Sequence, residues 1–348
     1  MPITYNDLWE KFIDFENLYN AYATARSGGH REDIQVMRFT YDLEANLINL
    51  QNHLIWETWK PDPVYTFTVY EPKKRVIHAP SFRDRVVHHA LYQVVGNLFE
   101  NKMIGQTYAC IKGRGPLLAA LQMKEYLQSY PSDQRVYVGK CDVSQYFPSI
   151  SHSYIKSQIR RTVCDKRVLY IMDTLIDQNG MDQGLYIGSL PSQLYAGINL
   201  SPLDHRMKDD LGVKHYTRYM DDFNHISSDL KRAQELFIES ERVLAVAGLQ
   251  MNPKSRVIPV THGIDFCGYR IFRDHFLPRK RNVKNARKRI LMRIEEYDRG
   301  EIELATVRDT IMSFLGYMKH CSGYRTTENL LNEILIKGRP FIEKREVV

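Results

Sequence analysis

Two adjacent carboxylates, Asp221 and Asp222, stand between two stretches of extended character, Lys214–Arg218 and Phe223–Ile226. Such a pair at a hairpin tip repels itself, and the arrangement costs stability unless cations fill the gap. Taken alone, an Asp-Asp dipeptide reads as an exposed turn. A third acid changes that reading: Asp142 stands near the end of the apolar run Tyr137–Val143, far upstream. The chain therefore needs a fold that joins separate strands at their acidic ends, and no other feature constrains its topology as much. Two-metal phosphoryl transfer uses carboxylates from separate strands that meet around ions about 3.5–4 Å apart. Magnesium suits so sparse a set, because water and substrate phosphates complete its octahedron.

The periodicity around these acids alternates between helix and strand. Leu43, Leu47, Ile48, Leu50, Leu54 and Ile55 recur at helical spacing, and Ser27-Gly28-Gly29 divides the first 60 residues into helical pieces. Pro61 and Pro63 end that region. Tyr65–Tyr70 and Arg75–His78, joined at Glu71-Pro72-Lys73-Lys74, predict a β-hairpin with a basic tip. Helices are expected over Asp84–Glu100, Leu117–Leu127 and Leu230–Ala247, with Gly248 as the last one's cap. From Asn282 a helix should carry Ile290, Leu291, Ile294 and Tyr297 as its apolar stripe. Acid-bearing strands among helices indicate an α+β protein.

At 348 residues the chain should form two or three packed subdomains. Its composition is that of an ordinary globular protein, with no apolar run long enough to span a bilayer. Asp7, Glu10, Asp14 and Glu16 interrupt any signal-peptide pattern, so a cytoplasmic location without membrane association is expected. Cys110, Cys141, Cys164, Cys267 and Cys321 lack the short paired spacing of a zinc site, and scattered thiols of this kind are most often buried. The net charge of +7 says little by itself. Its distribution says more: basic residues crowd into Lys73–Arg85 and Arg279–Arg293, on either side of the acids. Two such runs favour phosphate contacts over a merely solvated face.

Here the motifs resemble those of reverse transcriptases. Asp142-Val143-Ser144-Gln145-Tyr146-Phe147 is similar to that family's first catalytic motif, and Tyr219-Met220-Asp221-Asp222 to its second. Asn252-Pro253-Lys254-Ser255-Arg256 resembles the motif whose lysine approaches the triphosphate. Phe266-Cys267-Gly268-Tyr269 resembles the primer grip. Arg75-Val76-Ile77 and Arg83-Asp84-Arg85-Val86-Val87 resemble the fingers. The match runs in order from about Tyr65 to Arg270.

The resemblance implies a right-hand polymerase with an N-terminal helical extension over 1–60 and fingers over 61–135. The palm would be 136–273, with a helical insertion at about 152–180, and a helical thumb would occupy 274–348. It implies two Mg2+ ions, with Mn2+ as a substitute, held by Asp142, Asp221, Asp222 and the Val143 carbonyl. Nucleotide contacts would come from Lys74, Arg75, Arg83, Arg85, Phe147, Ile187, Gly188, Gln193 and Lys254. Arginine forks match triphosphate oxygens, and the Phe147 ring would stack under the sugar and exclude a ribose hydroxyl. The primer grip would use Phe266, Gly268 and Tyr269. Arg279, Lys280, Arg281, Lys284, Arg287, Lys288 and Arg293 would track the duplex. Template RNA, primer and nascent cDNA, and deoxynucleoside triphosphates are the implied partners.

Gly184–Gln193 narrows the likeness. Group II intron and retron enzymes carry Gln-Gly followed by Ser-Pro in this segment, whereas this chain has Ile187-Gly188 and ends in Ser192-Gln193. In this it resembles the reverse transcriptases of diversity-generating retroelements, which copy a template RNA with errors at adenines. Tyr108-Ala109-Cys110, Lys112–Gly115, Gly263–Phe266 and Phe15–Tyr22 resemble that group too. Membership implies a small basic accessory protein that forms an oligomer and helps bind the template. Asn224 and His225 depart from the apolar residues usual after the catalytic turn. The alternatives are a phage-defence reverse transcriptase that makes effector DNA, and an inactive RNA-binding protein on a polymerase scaffold.

Overall fold

The computed structural model describes residues 4–70 and 73–337, so Glu71 and Pro72 of the hairpin tip and the last residues of the expected thumb lie outside the described residues. The chain divides into two compact units. The first comprises Met1–Gly115, Cys141–His225 and Gln234–Arg256, and the second Pro116–Lys140, Ile226–Ala233 and Val257–Val348. Among the described residues no helix is long and apolar enough to cross a membrane.

In the first unit, helices α1 (Trp9–Ile13), α2 (Phe15–Ala25), α3 (Ile34–Tyr41) and α4 (Leu43–Ile55) precede a ribbon of β1 (Tyr65–Val69) and β2 (Arg75–Ala79). Asp14 caps α2 by accepting from the backbone N–H groups of Glu16 and Asn17. The long helix α5 (Phe82–Glu100) starts at Ser81, whose hydroxyl accepts from Asp84 N–H. Trp9, Phe12, Leu18, Leu47 and Leu54 share one core with Val86, Val87 and Leu91 of α5, so the N-terminal helices are built into this unit.

In the second unit, α6 (Pro116–Gln128) leads to β3 (Tyr137–Asp142), whose last residues belong to the first unit. Back in the first unit come α7 (Tyr146–Ser149), α8 (His152–Arg160) and α9 (Lys166–Ile176). Asp165 caps α9 and also accepts from Leu8 N–H (2.9 Å) and Trp9 N–H (3.0 Å), tying the start of α1 to it. Helix α10 (Leu190–Asn199), helix α11 (Ser201–His205) and a π-helical turn bring the chain to strands β4 (Tyr216–Tyr219) and β5 (Asp222–Ser227). Helix α12 (Leu230–Val246) ends at Gly248, whose positive φ of 71° meets the expected role of a cap. Strand β6 (Arg256–Pro259), which the sequence pattern did not reveal, completes a four-stranded sheet ordered β4-β5-β3-β6.

The C-terminal part of the second unit holds a three-stranded antiparallel sheet of β7 (Ile264–Phe266), β8 (Tyr269–Ile271) and β9 (Phe276–Pro278). Cys267 and Gly268, with φ of 47° and 89°, form the two-residue turn between paired Phe266 and Tyr269. Positive φ at both central positions is the signature of the hairpin turn that matches strand twist. Helices α13 (Lys280–Asp298), α14 (Leu304–Met318) and α15 (Tyr324–Lys337) follow. The apolar stripe of α13 is Val283, Ala286, Ile290 and Ile294, packed with Phe314, Met318 and Leu330. Tyr297, expected in that stripe, is exposed instead, because the buried positions begin a turn earlier than the run of large residues suggests.

Candidate active site

The acids stand at strand ends on neighbouring strands of the four-stranded sheet. Asp142 is the last residue of β3, Asp222 is the first of β5, and Asp221 lies in the turn between paired Tyr219 and Asp222. Burial raises the Asp221 pKa, and the Asp142 charge raises it further. Its own backbone N–H, Arg75 and Lys73 pull it back, but the net shift is upward. Asp222 Oδ1 is shut off from solvent. Such crowding of anions is the electrostatic cost that a divalent cation removes.

The loop after α12 holds Asp142 in place. Asn252 donates from its side-chain amide to Asp142 Oδ2 (3.0 Å) and from its backbone to the Asp142 carbonyl (2.8 Å). The Ser255 hydroxyl accepts from Asp142 N–H at 3.0 Å. Val143 is buried and bridges to Met251, and Ser144 N–H reaches the Gln250 carbonyl at 2.9 Å. Asn252 and Ser255 were not among the residues singled out from sequence. Their signal is the Asn-Pro-x-Ser spacing, in which the resemblance points only to the lysine. Lys254 itself is exposed, its backbone N–H donating to Asn252 Oδ1 at 3.0 Å.

The donor set fits magnesium, being hard oxygen supplied by a few carboxylates. Among the described residues no group of three or more His, Cys, Asp or Glu is drawn together tightly enough to hold an ion by itself. Water and substrate phosphates would have to supply the remaining ligands.

The basic residues of the ribbon region separate into two groups. Arg75 and Lys73 act electrostatically on Asp221, and Lys73, Lys74 and Arg75 are all exposed. Arg83 and Arg85, expected at the triphosphate, have partners within the protein. Arg83 pairs with Asp62 (2.8 Å) and Asp84 (3.3 Å) and donates to the Lys60 carbonyl (2.6 Å). Arg85 donates to the Ala25 carbonyl at 2.7 Å and lies over the Phe82 ring. Both are occupied in holding α5 to its surroundings. Lys73, which the sequence marks only as part of the basic run, is the lysine whose charge acts on Asp221.

Phe147 is half-buried, edge-on to Tyr146, and its carbonyl accepts from Leu185 N–H at 2.9 Å. The Ile187 carbonyl accepts from His78 N–H at 2.8 Å, and His78 stacks on Tyr186 at 4.2 Å between ring centroids. Ile187 is partly exposed, and Gly188 and Gln193 are exposed. Gly188 has φ 115°, and a Cβ there would meet Ile77 Cγ2 at 2.9 Å and the His78 carbonyl oxygen at 3.0 Å. Only glycine permits this close approach.

In the second unit Phe266 and Tyr269 are buried, and Tyr269 stacks on Tyr317 at 5.1 Å. The Gly268 carbonyl accepts from the Tyr317 hydroxyl at 2.7 Å and from the Asn282 amide at 3.2 Å. Lys280, Arg281, Lys284, Arg287 and Lys288 are exposed on α13. Arg279 lies 3.8 Å from Asp265, Arg287 donates to Glu333 (2.6 Å from Nε), and Arg293 to Glu296 (2.6 Å).

The family described as reverse transcriptase (RNA-dependent DNA polymerase) matches residues 60–271, a span that takes in all three acids. The chain belongs to that family, and its activity is that of an RNA-directed DNA polymerase. It is 23% identical over 277 residues to protein YkfC of Escherichia coli (strain K12), covering 66% of this chain and 72% of YkfC. The fold resembles apo telomerase from Candida tropicalis, with a TM-score of 0.50 at 14% identity over 82% of this chain and 66% of that one. Telomerase from Candida albicans, solved with a fragment of telomeric RNA, gives a TM-score of 0.47 at 13% identity over 81% of this chain. The chain spans 56% of that protein's length.

Proposed function

We propose that this enzyme makes error-prone cDNA from a template RNA within a diversity-generating retroelement, with Asp142, Asp221 and Asp222 as its metal ligands. The fingers, palm and thumb expected from the sequence would frame that site. Asp142, Asp221 and Asp222 would hold two magnesium ions, which would supply a lowered pKa for the primer 3′-hydroxyl and charge neutralisation for the leaving pyrophosphate. The chain's own part is to hold its carboxylates at two strand ends, with Asn252 and Ser255 fixing Asp142. Lys73 and Arg75, whose charges already act on Asp221, would meet the triphosphate. The Phe147 ring would close the sugar pocket. A small basic accessory protein, as an oligomer, would help bring the template.

The observation that supports the mutagenic reading is Ile187, partly exposed, with its carbonyl bound to the ribbon that carries Arg75. A glutamine there would offer an amide to the nascent pair, whereas isoleucine offers only an apolar surface, so a misaligned pair loses less on binding. One hydrogen bond is worth about 0.5–1.5 kcal/mol net, which sets a severalfold effect on error rate. Ile187→Gln should lower misincorporation opposite template adenine, read by sequencing cDNA made at matched extension. An unchanged error spectrum with a lower yield would remove the mutagenic assignment.

A further inference from the structure

The turn that carries Asp221 has a residue in an unfavourable conformation and a buried device that holds it there. Met220 is the first of two residues between paired Tyr219 and Asp222, and its φ is 57°. That position favours glycine, and a side chain there persists only when the surroundings impose it. Arg218, two residues earlier, supplies the constraint: its Nη1 donates to the Met220 carbonyl at 3.0 Å.

Arg218 is itself fixed on every side. It is 1% exposed and faces Asp204 of α11, which is 0% exposed. Its Nε donates to Asp204 Oδ1 (2.8 Å) and Oδ2 (3.0 Å), and its Nη2 to Oδ2 (2.5 Å) and to the Gly197 carbonyl (3.3 Å). Asp204 also accepts from the Tyr216 hydroxyl (2.8 Å) and from Thr107 Oγ1 (3.1 Å). The backbone of Arg218 donates to Gln106 O and accepts from Tyr108 N–H, both at 3.0 Å. By strand alternation Tyr216 and Arg218 point to the sheet face opposite Tyr219 and Asp222, so this network works from behind the site.

A buried ion pair is a poor general stabiliser, since apolar residues of similar volume often serve as well. What an apolar pair cannot supply is a rigid, planar donor aimed at one carbonyl, and lysine cannot supply it as a fork either. We propose that Asp204 and Arg218 are positioning residues whose pair sets the conformation of the Met220 turn, and with it the placing of Asp221 and Asp222 for metal binding. This rests on those two acids being metal ligands.

The test compares the full-length protein with Arg218→Lys and with the apolar double variant Arg218→Met/Asp204→Leu. Mn2+ binding to the protein alone is followed by electron paramagnetic resonance. Melting temperature, and kcat and KM for the nucleotide in primer extension, are measured beside it. Groups that orient metal ligands typically contribute roughly 10–100-fold to metal affinity or activity. The expected result is a loss of that order in Mn2+ affinity and kcat in both variants, with nucleotide KM nearly unchanged and melting preserved. Native Mn2+ affinity in either folded variant would overturn the proposal. Failure of both to fold would overturn it too, because the pair would then serve stability and not the turn. Asp222→Asn is the separate control: if it binds Mn2+ and extends primers as the native chain does, the ligand assignment itself fails.

Discussion

Asn252 holds Asp142 twice, through its side-chain amide to the carboxylate (3.0 Å) and its backbone N–H to the carbonyl (2.8 Å). Asn252→Ala removes the first bond and leaves the second. Hydrogen bonds to charged groups contribute about 1.5–3 kcal/mol, and the lower part of that range is expected for the half-buried Asp142. Primer extension should fall about tenfold, as for other residues that orient metal ligands. Asn252→Asp should fare worse, since it sets a second carboxylate against Asp142. Equal rates for native and Asn252→Ala protein would assign Asn252 to loop structure alone.

Asp221 makes stability depend on pH in a direction opposite to that of a salt-bridged carboxylate. Burial and Asp142 raise its native pKa above the ordinary 3.8. Protonation therefore favours the native state: its contribution is complete below 3.8 and is lost as pH rises through the native pKa. Without metal, Asp221→Asn should raise the melting temperature at neutral pH, and the gain should shrink to nothing as pH approaches 3.8. Added Mg2+ should stabilise the native protein and not the variant. A variant less stable than the native chain at neutral pH would contradict this account.

Gly188→Ala should be costly although the residue lies at the surface. The added Cβ meets the His78 carbonyl oxygen at 3.0 Å, and a φ of 115° is strained for alanine. Strain of this kind costs about 1–3 kcal/mol. A lowered melting temperature and weaker nucleotide binding are expected together, because the ribbon also carries Arg75. Ile187→Gln, by contrast, should melt like the native protein. Chemical denaturation of the two variants side by side distinguishes them.

On α13 the arginines and lysines should behave differently. Arg287 and Arg293 already have carboxylate partners, whereas Lys280, Lys284 and Lys288 recur every fourth residue along one exposed face. Neutralising the three lysines should reduce the slope of log affinity against log salt by about 0.9 for each lost B-DNA-like phosphate contact, and about 0.7 on single strands. Arg287→Gln should change that slope less. Titrations of a primer–template duplex at several salt concentrations give the answer, and equal slopes throughout would make this face merely solvated.

The acid-bearing strands were legible because apolar runs and a tight turn leave a local record in the sequence. The α5 and α12 helices were legible for the same reason. Strands β6 and β9 were not, since each is short and Pro259 or Pro278 closes it. The sequence sets Arg83 beside Arg75 as a triphosphate clamp, with Lys74 and Arg85 behind them. Only the fold shows that Arg83 has Asp62 and Asp84 as partners, and that Arg85 has the Ala25 carbonyl. Arg218 read simply as strand, because its partner Asp204 is remote from the turn in the pattern of periodicities. Local chemistry announces itself, but a tertiary partner does not.

The β1–β2 ribbon has a consequence for how the enzyme meets its nucleotide. Two strands alone are marginal in water, and the ribbon is tied to the Ile187 carbonyl by a hydrogen bond outside its own ladder. Its amides should therefore exchange with solvent early, ahead of those of α5. An incoming triphosphate that meets Arg75 would have to hold the ribbon in place, so part of its affinity would be spent on ordering it. Selectivity among nucleotides would then depend on how well each one orders the ribbon as well as on fit.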